Sequence, residues 1–344
     1  MELPVELVEA LDRACAGVPQ RQLAASVERL ISRYRDPRPA ASPILASTAD
    51  VTAYAAYRMP ATWAAVHSAL ERFADRAPGF RPGTMLDIGG GTGAALWAAA
   101  ELFPSLAEVT IFDQVEEALR LGRELAAGAT TTAMRSAAWR RTSFAAREPF
   151  GAADLVTISY VLSELSAADQ ADLVARSAEG AEVVAIIEPG TPDGHRRILA
   201  ARDVLIEADL TVVAPCPHQH VCPLAAGTDW CHFSTRINRT SLHRRLKGGE
   251  LGHEDEKFCY VIASRTAHAP APGRILRHPL KRKGLVTLQV CTADDGMRQA
   301  LVSKRHGEAY RGARDAAWGD AWPVSPRAGD RPPAPQRIDQ SKHR

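Results

Sequence analysis

Apolar positions recur at intervals of three and four through residues 1–75. "PVELVEALDRAC" and "LAASVERLISRYR" each gather them on one helical face. "AYAAYRMPATWAAVHSALERF" continues the pattern, with Pro60 at a helix start. Tyr54, Tyr57 and Trp63 fall on that pattern and read as packing residues.

At Thr84 the rhythm changes. "TMLDIGGGTG" is a short apolar run ending in glycines, and the helical "AALWAAAELF" follows it. "EVTIFD" (108–113), "DLVTISYVLSEL" (154–165) and "AEVVAIIEPG" (181–190) are further strands, with a weak one near "TTAMRSAAW". "QVEEALRLGRELA" and "SAADQADLVARSA" are helices between them. Strands alternating with helices predict an α/β fold, a parallel sheet covered on both faces. A helix, "GHRRILAARDVLIEADL", then leads into a cysteine-rich passage. Two late strands, "KFCYVIASR" (257–265) and "LVTLQVCT" (285–292), have no helix between them. A parallel sheet closed by an antiparallel terminal pair is the pattern of the methyltransferase form of the Rossmann architecture.

The chain divides accordingly. Residues 1–75 form a helical segment, 76–210 a Rossmann core and 211–256 a Cys-rich insertion. Residues 257–295 supply the terminal strand pair with a basic loop, and 296–344 a C-terminal helix and a Pro-, Arg- and Asp-rich tail expected to be disordered.

With 344 residues, 46% apolar and 24% charged, the composition is that of an ordinary globular protein. A net charge of +2 requires any nucleic-acid contact to come from a local patch. No apolar run is long enough for a membrane span. "MELPVELVEALDRACAG" lacks the features of a signal peptide and of an Arg/Ser-rich transit peptide, so a reducing cytoplasm is expected. There, clustered cysteines read as metal ligands or catalytic groups before disulfides.

"LDIGGGTG" spaces Asp87, Gly89, Gly91 and Gly93 as D-x-G-x-G-x-G between a strand and a helix. The glycines permit a tight turn and close approach of a cofactor. Asp113, ending the next strand, is placed to accept hydrogen bonds from ribose hydroxyls. The same logic serves NAD and S-adenosylmethionine (SAM). The position of Asp87, the preceding helices and the antiparallel close of the sheet favour SAM. After the fourth strand stand Ser159, Tyr160 and Glu164, without the Asn/Asp-Pro-Pro-aromatic run of exocyclic-amine methylases. Glu164 and Glu188 are the candidate general bases, with Glu188 favoured as a loop brace. No catalytic residue is assigned.

Cys216, Cys222 and Cys231 follow C-x₅-C-x₈-C, and Cys259 stands on the strand "KFCYVIASR". Four thiolates suit zinc or an iron–sulfur cluster, and His218, His220 and His232 offer a mixed zinc site. A nucleophilic Cys216 ranks low, because it follows the fifth strand by a full helix. Cys15 and Cys291 sit in apolar patterns and read as core. "GRILRHPLKRKG" carries Arg274, Arg277, Lys281, Arg282 and Lys283, and "STRINRTSLHRRLK" adds Arg236, Arg239, Arg244 and Arg245. These are candidate phosphate contacts, or simply solvated surface.

From about Tyr54 to Thr292 the chain resembles the methyltransferase-like small-ribosomal-subunit proteins. The likeness rests on "AYAAYRMPATWAAV", "MLDIGGGTG", "SYVLSEL", "IIEPGTPDG", "PCPH…CP…WCHF", "EKFCYVIASR" and "RILRHPLKRKGLVTLQVCT" in combination. It implies a SAM-type Rossmann domain and a [4Fe–4S] cluster on Cys216, Cys222, Cys231 and Cys259. It also implies contact with the small ribosomal subunit and its rRNA, in assembly or methylation; the family's members are mitochondrial assembly factors and bacterial homologues. With no transit peptide read at the N-terminus, a bacterial cytoplasmic protein, monomeric off the ribosome, is expected. The rival is a small-molecule methyltransferase with a structural zinc. A nicotinamide-dependent oxidoreductase leaves the cysteines and the terminal strands unexplained.

Overall fold

The structure is a computed structural model and describes residues 1–35, 47–144, 148–247, 251–294 and 296–323. Four helices come first: α1 (Val5–Ala16), α2 (Gln20–Arg35), α3 (Thr48–Tyr57) and α4 (Met59–Ala74). The Ser47 side chain accepts from the Asp50 backbone N–H and caps α3. Pro60 stands in the first turn of α4, where its missing N–H costs nothing. Most of α4 is buried, including Met59, Trp63, Leu70 and Phe73, as expected of a helix apolar nearly all round.

The alternating region follows as β1 (Thr84–Ile88), α5 (Ala94–Leu102), β2 (Glu108–Asp113), α6 (Glu116–Ala126), α7 (Thr132–Arg135) and β3 (Ala138–Arg141). It continues through β4 (Ala153–Ser159), α8 (Ala167–Glu179), β5 (Ala181–Pro189), α9 (Pro192–Glu207) and β6 (Thr211–Ala214). Then come β7 (Phe233–Asn238), α10 (Ser241–Lys247) and β8 (His253–Ser264). Sheet order is β3-β2-β1-β4-β5-β8-β6, with β7 also paired to β8. Strands β1 to β5 pair in parallel, and β8 runs antiparallel between β5 and β6. This is a mixed-sheet, methyltransferase-like Rossmann fold. The middle strands β4 and β5 are buried on both faces, which explains their unbroken apolar runs.

The partner of β8 differs from the expected one. β6 pairs with the Ile262–Ser264 end of β8, and β7 with the His253–Phe258 end. Both are antiparallel to β8, so they run in the same direction, end to end along one edge. The cysteine-rich insertion is therefore shorter than the expected 211–256. It is the excursion of residues 215–232 between two halves of an edge strand. Cys259, Tyr260 and Val261 of β8 face the gap it leaves.

The strand 285–292 does not close this sheet. It is β11 (Leu285–Thr292) of a second sheet, with β9 (Gly273–Ile275), β10 (Leu280–Arg282) and β12 (Gly296–Ser303). The physical reason is twofold: the edge of β8 is already taken, and β12 follows β11 after a short turn that costs little entropy to close. The expected basic loop thus contains two short strands. Ile275, Val286, Leu288, Val290 and Val302 pack with Ala313 of α11 (Glu308–Asp315) into a separate small core. The tail expected to be disordered lies, over 324–344, outside the described residues.

Candidate functional site: a glycine cavity and a thiol pocket

After β1 the backbone turns through glycines in the left-handed region. A Cβ at Gly89 (φ +69°) would stand 2.1 Å from Val161 Cγ2, and one at Gly93 (φ +87°) 2.8 Å from the Trp139 ring. Gly91 N donates to Asp113 Oδ2 (2.8 Å) and Val115 N to Oδ1 (2.8 Å), so the acid ending β2 holds the turn. Burial pushes the Asp113 carboxyl up, and those backbone N–H groups oppose the push.

Asp87, Gly89, Gly91 and Ser159 line a cavity at the carboxyl ends of β1 and β4, the ligand crevice of open α/β sheets. Tyr54, Met59 and Thr62 of the N-terminal helices close it from above. Asp87 is fully buried. Its Oδ1 accepts from Thr157 Oγ1 (2.7 Å), and its Oδ2 has no partner. Burial pushes the carboxyl up to about 7, with Thr157 opposing and Asp113 adding repulsion. Thr62 Oγ1 and Ser159 Oγ are likewise buried without partners. Three orphaned polar atoms in one cavity call for a polar occupant. Tyr54 read as packing from the sequence alone, and Thr62 gave no signal; only the fold brings them to the turn.

The position following β4 is held by a polar latch. Tyr160 adopts φ +62°, rare for a bulky residue. Its hydroxyl donates to Glu256 Oε1 (2.8 Å), and Arg58 donates to both Glu256 oxygens (2.9 and 2.7 Å). The guanidinium also lies 5.0 Å over the Tyr160 ring. This latch ties the helical segment to β4 and β8. Glu188, 0% exposed, braces the turn as the sequence favoured. It accepts from Leu162 N (3.1 Å) and from Arg197 Nε (2.7 Å). Glu164 is surface-exposed, yet crowding by the protein, with Asp113 and Glu188 repelling it, pushes its carboxyl up to about 7.

Cys216, Cys222, Cys231 and Cys259 line one pocket, and Cys291 of β11 lines it too. All are free thiols. Cys291 is buried, as read, but its place beside the other thiols was not legible. It packs with Leu224, Leu276, Cys222 and Cys231, and its Sγ lies 3.6 Å from His218 Nε2. Cys259 Sγ instead donates to the Cys231 carbonyl (3.1 Å) and packs in the core with Ile198 and Leu205 of α9. Burial pushes the Cys259 and Cys291 thiols up to about 12 each. It also raises Cys231, surrounded by the other thiols, and Cys216, where Arg202 opposes it. Protonated thiols are poor nucleophiles, which tells against a catalytic Cys216. Among the described residues, no group of three or more His, Cys, Asp or Glu side chains stands in coordinating geometry. Of the three histidines only His218 lines the pocket; His232 packs between Trp230 and Trp318.

The basic residues separate sharply. Arg274 was expected to reach RNA, but it is 2% exposed and donates to the carbonyls of Pro215 and Gly319 (3.0 Å each). Packing of the second sheet onto the cysteine loop buries it. Arg277 is half-buried and bonded to Asp229 and to the Trp230 carbonyl. Arg236 pairs with Asp255 and Arg239 with Glu254. Lys281, Arg282 and Lys283, with Arg244 and Arg245, are exposed.

A family described as mitochondrial small ribosomal subunit Rsm22 matches residues 48–323, from α3 through the second sheet. The chain belongs to the Rsm22 family. It is 32% identical over 290 residues to the human "Ribosome assembly protein METTL17, mitochondrial", covering 79% of this chain and 62% of that protein. It is 26% identical over 184 residues to the fission yeast (Schizosaccharomyces pombe) "Rsm22-cox11 tandem protein 2, mitochondrial", covering 41% of this chain and 24% of that protein. The chain thus spans less than two thirds of the length of these relatives. Among solved structures, an O-methyltransferase family protein from Burkholderia thailandensis aligns with a TM-score of 0.43 and 16% identity, covering 76% of this chain and 72% of that one. Magnesium protoporphyrin IX methyltransferase from Synechocystis, with bound SAM, aligns with a TM-score of 0.40 and 10% identity, covering 69% and 90%. The fold itself is read from the strand order.

The family matches overturn the expectation of a cytoplasmic bacterial protein, because the Rsm22 family and its relatives here are mitochondrial. The cysteine argument separated oxidising from reducing surroundings only, and does not distinguish one reducing compartment from another.

Proposed function

We propose that this Rsm22-family chain is a SAM-binding, iron–sulfur-holding factor in assembly of the small ribosomal subunit. Asp87 Oδ2 would take the ammonium of SAM, the Thr62 and Ser159 hydroxyls its carboxylate, and Asp113 its ribose. The orphaned atoms fit that zwitterion in sign and in hydrogen-bonding type. When bound, SAM supplies an electrophilic methyl group. After β4, where exocyclic-amine methylases carry their acceptor-binding run, Tyr160 is instead engaged with Glu256 and Arg58, which favours a positioning role for SAM over rRNA methylation.

The observation that carries the reading is the convergence of thiols from the excursion, from β8 and from β11 on a pocket between the two sheets. Cys216, Cys222, Cys231 and one sheet thiol would hold a [4Fe–4S] cluster. Packing favours Cys291 over Cys259, whose thiol is engaged with the Cys231 carbonyl. The cluster would fix the second sheet, and with it Lys281, Arg282 and Lys283, to the SAM domain for contact with rRNA phosphates. Anaerobic purification with iron, sulfide and zinc analysis tests this. Absorption near ~400 nm and about four irons per chain are expected for Cys₄ ligation. Colourless protein with one zinc instead supports the rival small-molecule methyltransferase, for which His218 beside Cys291 is the favourable observation. Salt-sensitive binding to small-subunit rRNA separates the two functions. If subunit assembly survives in an Asp87 variant that no longer binds SAM, methylation is not the essential role.

A further inference from the structure

Two arginines in the thiol pocket have no surface role. Arg202 of α9 is 3% exposed and Arg274 of β9 is 2% exposed. Arg202 Nη2 donates to the carbonyls of His218 (3.1 Å) and His220 (2.8 Å). Arg274 Nε and Nη1 donate to the carbonyls of Pro215 and Gly319 (3.0 Å each). Each arginine therefore holds the cysteine excursion by its backbone. Yet Arg202 Nε and Arg274 Nη2 are buried without partners, as is the Tyr260 hydroxyl on the same pocket wall.

No Asp or Glu lines the pocket. The carboxylate next to Arg202, Asp203, contacts it at 3.5 Å and is 68% exposed. Two buried guanidiniums thus line a pocket of thiols, and one N–H position of each, Arg202 Nε and Arg274 Nη2, is left without a partner. Buried charge persists when it is paired and hydrogen-bonded, so the wall is built for an anionic occupant. Four cysteine thiolates around a [4Fe–4S]²⁺ core sum to a charge of about −2, as do four around one Zn²⁺, and thiolate and sulfide sulfurs accept hydrogen bonds. Two arginines balance that charge.

We propose that Arg202 and Arg274 are the counter-charges and hydrogen-bond donors of a dianionic metal–thiolate centre in this pocket, setting how tightly it is retained and, for an iron–sulfur cluster, its reduction potential. The inference rests on the metal-centre reading above. One-electron reduction of the cluster by a low-potential chemical reductant adds negative charge, which the guanidiniums stabilise; removing one makes the potential more negative.

The test uses the full chain purified anaerobically, with iron, sulfide and zinc measured first. Arg202→Gln and Arg274→Gln are compared with Arg274→Lys, which keeps the charge but not the fork of N–H groups. Each glutamine variant should release its metal to a chelator about tenfold faster, the usual size of an outer-shell effect. In a reductive titration followed by visible absorption, its midpoint should be more negative, and Arg274→Lys should recover most of that shift. Unchanged release and midpoint in the glutamine variants overturn the proposal. So does a lysine variant as defective as glutamine, since only the backbone clamps would then matter. If the wild-type chain carries zinc, the cluster reading fails and chelator release alone decides the arginine proposal. A wild-type chain that takes up neither metal overturns both. Should the glutamine variants fail to fold, Arg202→Lys and Arg274→Lys decide: a midpoint near that of the wild type with faster release to the chelator is expected, and a midpoint shifted well negative overturns the proposal.

Discussion

The glycine cavity and the thiol pocket are built on opposite principles. The cavity is made mostly by one continuous segment, β1 to α5, with Ser159 at the end of β4 beside it and two helices laid over it. The pocket takes its walls from α9, the excursion, β8, β9 and β11, elements far apart in the chain. In the cavity the outstanding group is an acceptor, Asp87 Oδ2, flanked by hydroxyls. In the pocket the outstanding groups include two guanidinium N–H donors. The first therefore suits a cationic ammonium and the second an anion. The first site also exists without its ligand, because backbone turns fix it. The second is walled by five segments from two sheets, which an occupant of the proposed kind would tie together.

The largest expected effect breaks the second site alone. Cys222→Ser should lose the metal and lower the melting midpoint by ~10 °C or more, because metal binding energy is folding energy there. Cys291→Ser should match it, and Cys259→Ser should keep most of the metal. Full metal content and unchanged melting in Cys222→Ser would remove the pocket from consideration.

Asp87→Asn should do the converse. Losing a charge-assisted contact of ~2 kcal/mol weakens SAM binding about 30-fold, by calorimetry, with metal content unchanged. Its effect on the ligand-free protein has the opposite sign. An unfolded Asp releases its proton near pH ~4, whereas buried Asp87 holds it until about 7. Between those values the folded state binds more protons, so Asp87 lowers stability as pH rises, and the loss is complete above 7. Asn should therefore flatten that slope and stabilise the ligand-free protein at pH 8 by on the order of 2 kcal/mol. Destabilisation at pH 8 would contradict the burial argument.

Glu256→Gln probes the latch between the sites. It leaves Arg58 without its counter-charge, but the side chains are 25% and 11% exposed, so ~1–2 kcal/mol is expected rather than the cost of a wholly buried pair. The denaturant midpoint measures it. The smallest effect on the fold comes from replacing Lys281, Arg282 and Lys283 together by Ala. Melting should not move, while the slope of log binding constant against log salt for rRNA should shrink by ~2–3.

Legibility followed the range of the interactions. "LDIGGGTG" and Asp113 were readable because strand, turn and helix are local and the glycine φ values are imposed within a few residues. Pro60 was readable for the same reason; Glu188 was read as a brace, but its hold on Leu162 after β4 is a contact between distant segments that the sequence does not show. The pairing of 285–292 was not, since the length and pattern of a strand do not reveal which edge is vacant. Arg274 read as surface because a charged residue in a basic run usually is, and only packing of the second sheet buries it. Cys291 read as core, which it is, while its nearness to the other thiols depends on where that sheet docks.

By itself, the sequence determined the alternation that makes a Rossmann sheet, the glycine turn with its two acids, and the family. Those follow from periodicity, from the φ demands of glycine and from motifs in fixed order. Only the tertiary structure decided that the excursion interrupts an edge strand, that five thiols and two arginines line one pocket, and that a tyrosine latch ties the position after β4 to the helical segment. Each of those depends on segments distant in the chain meeting in space, and neither spacing nor composition records such a meeting.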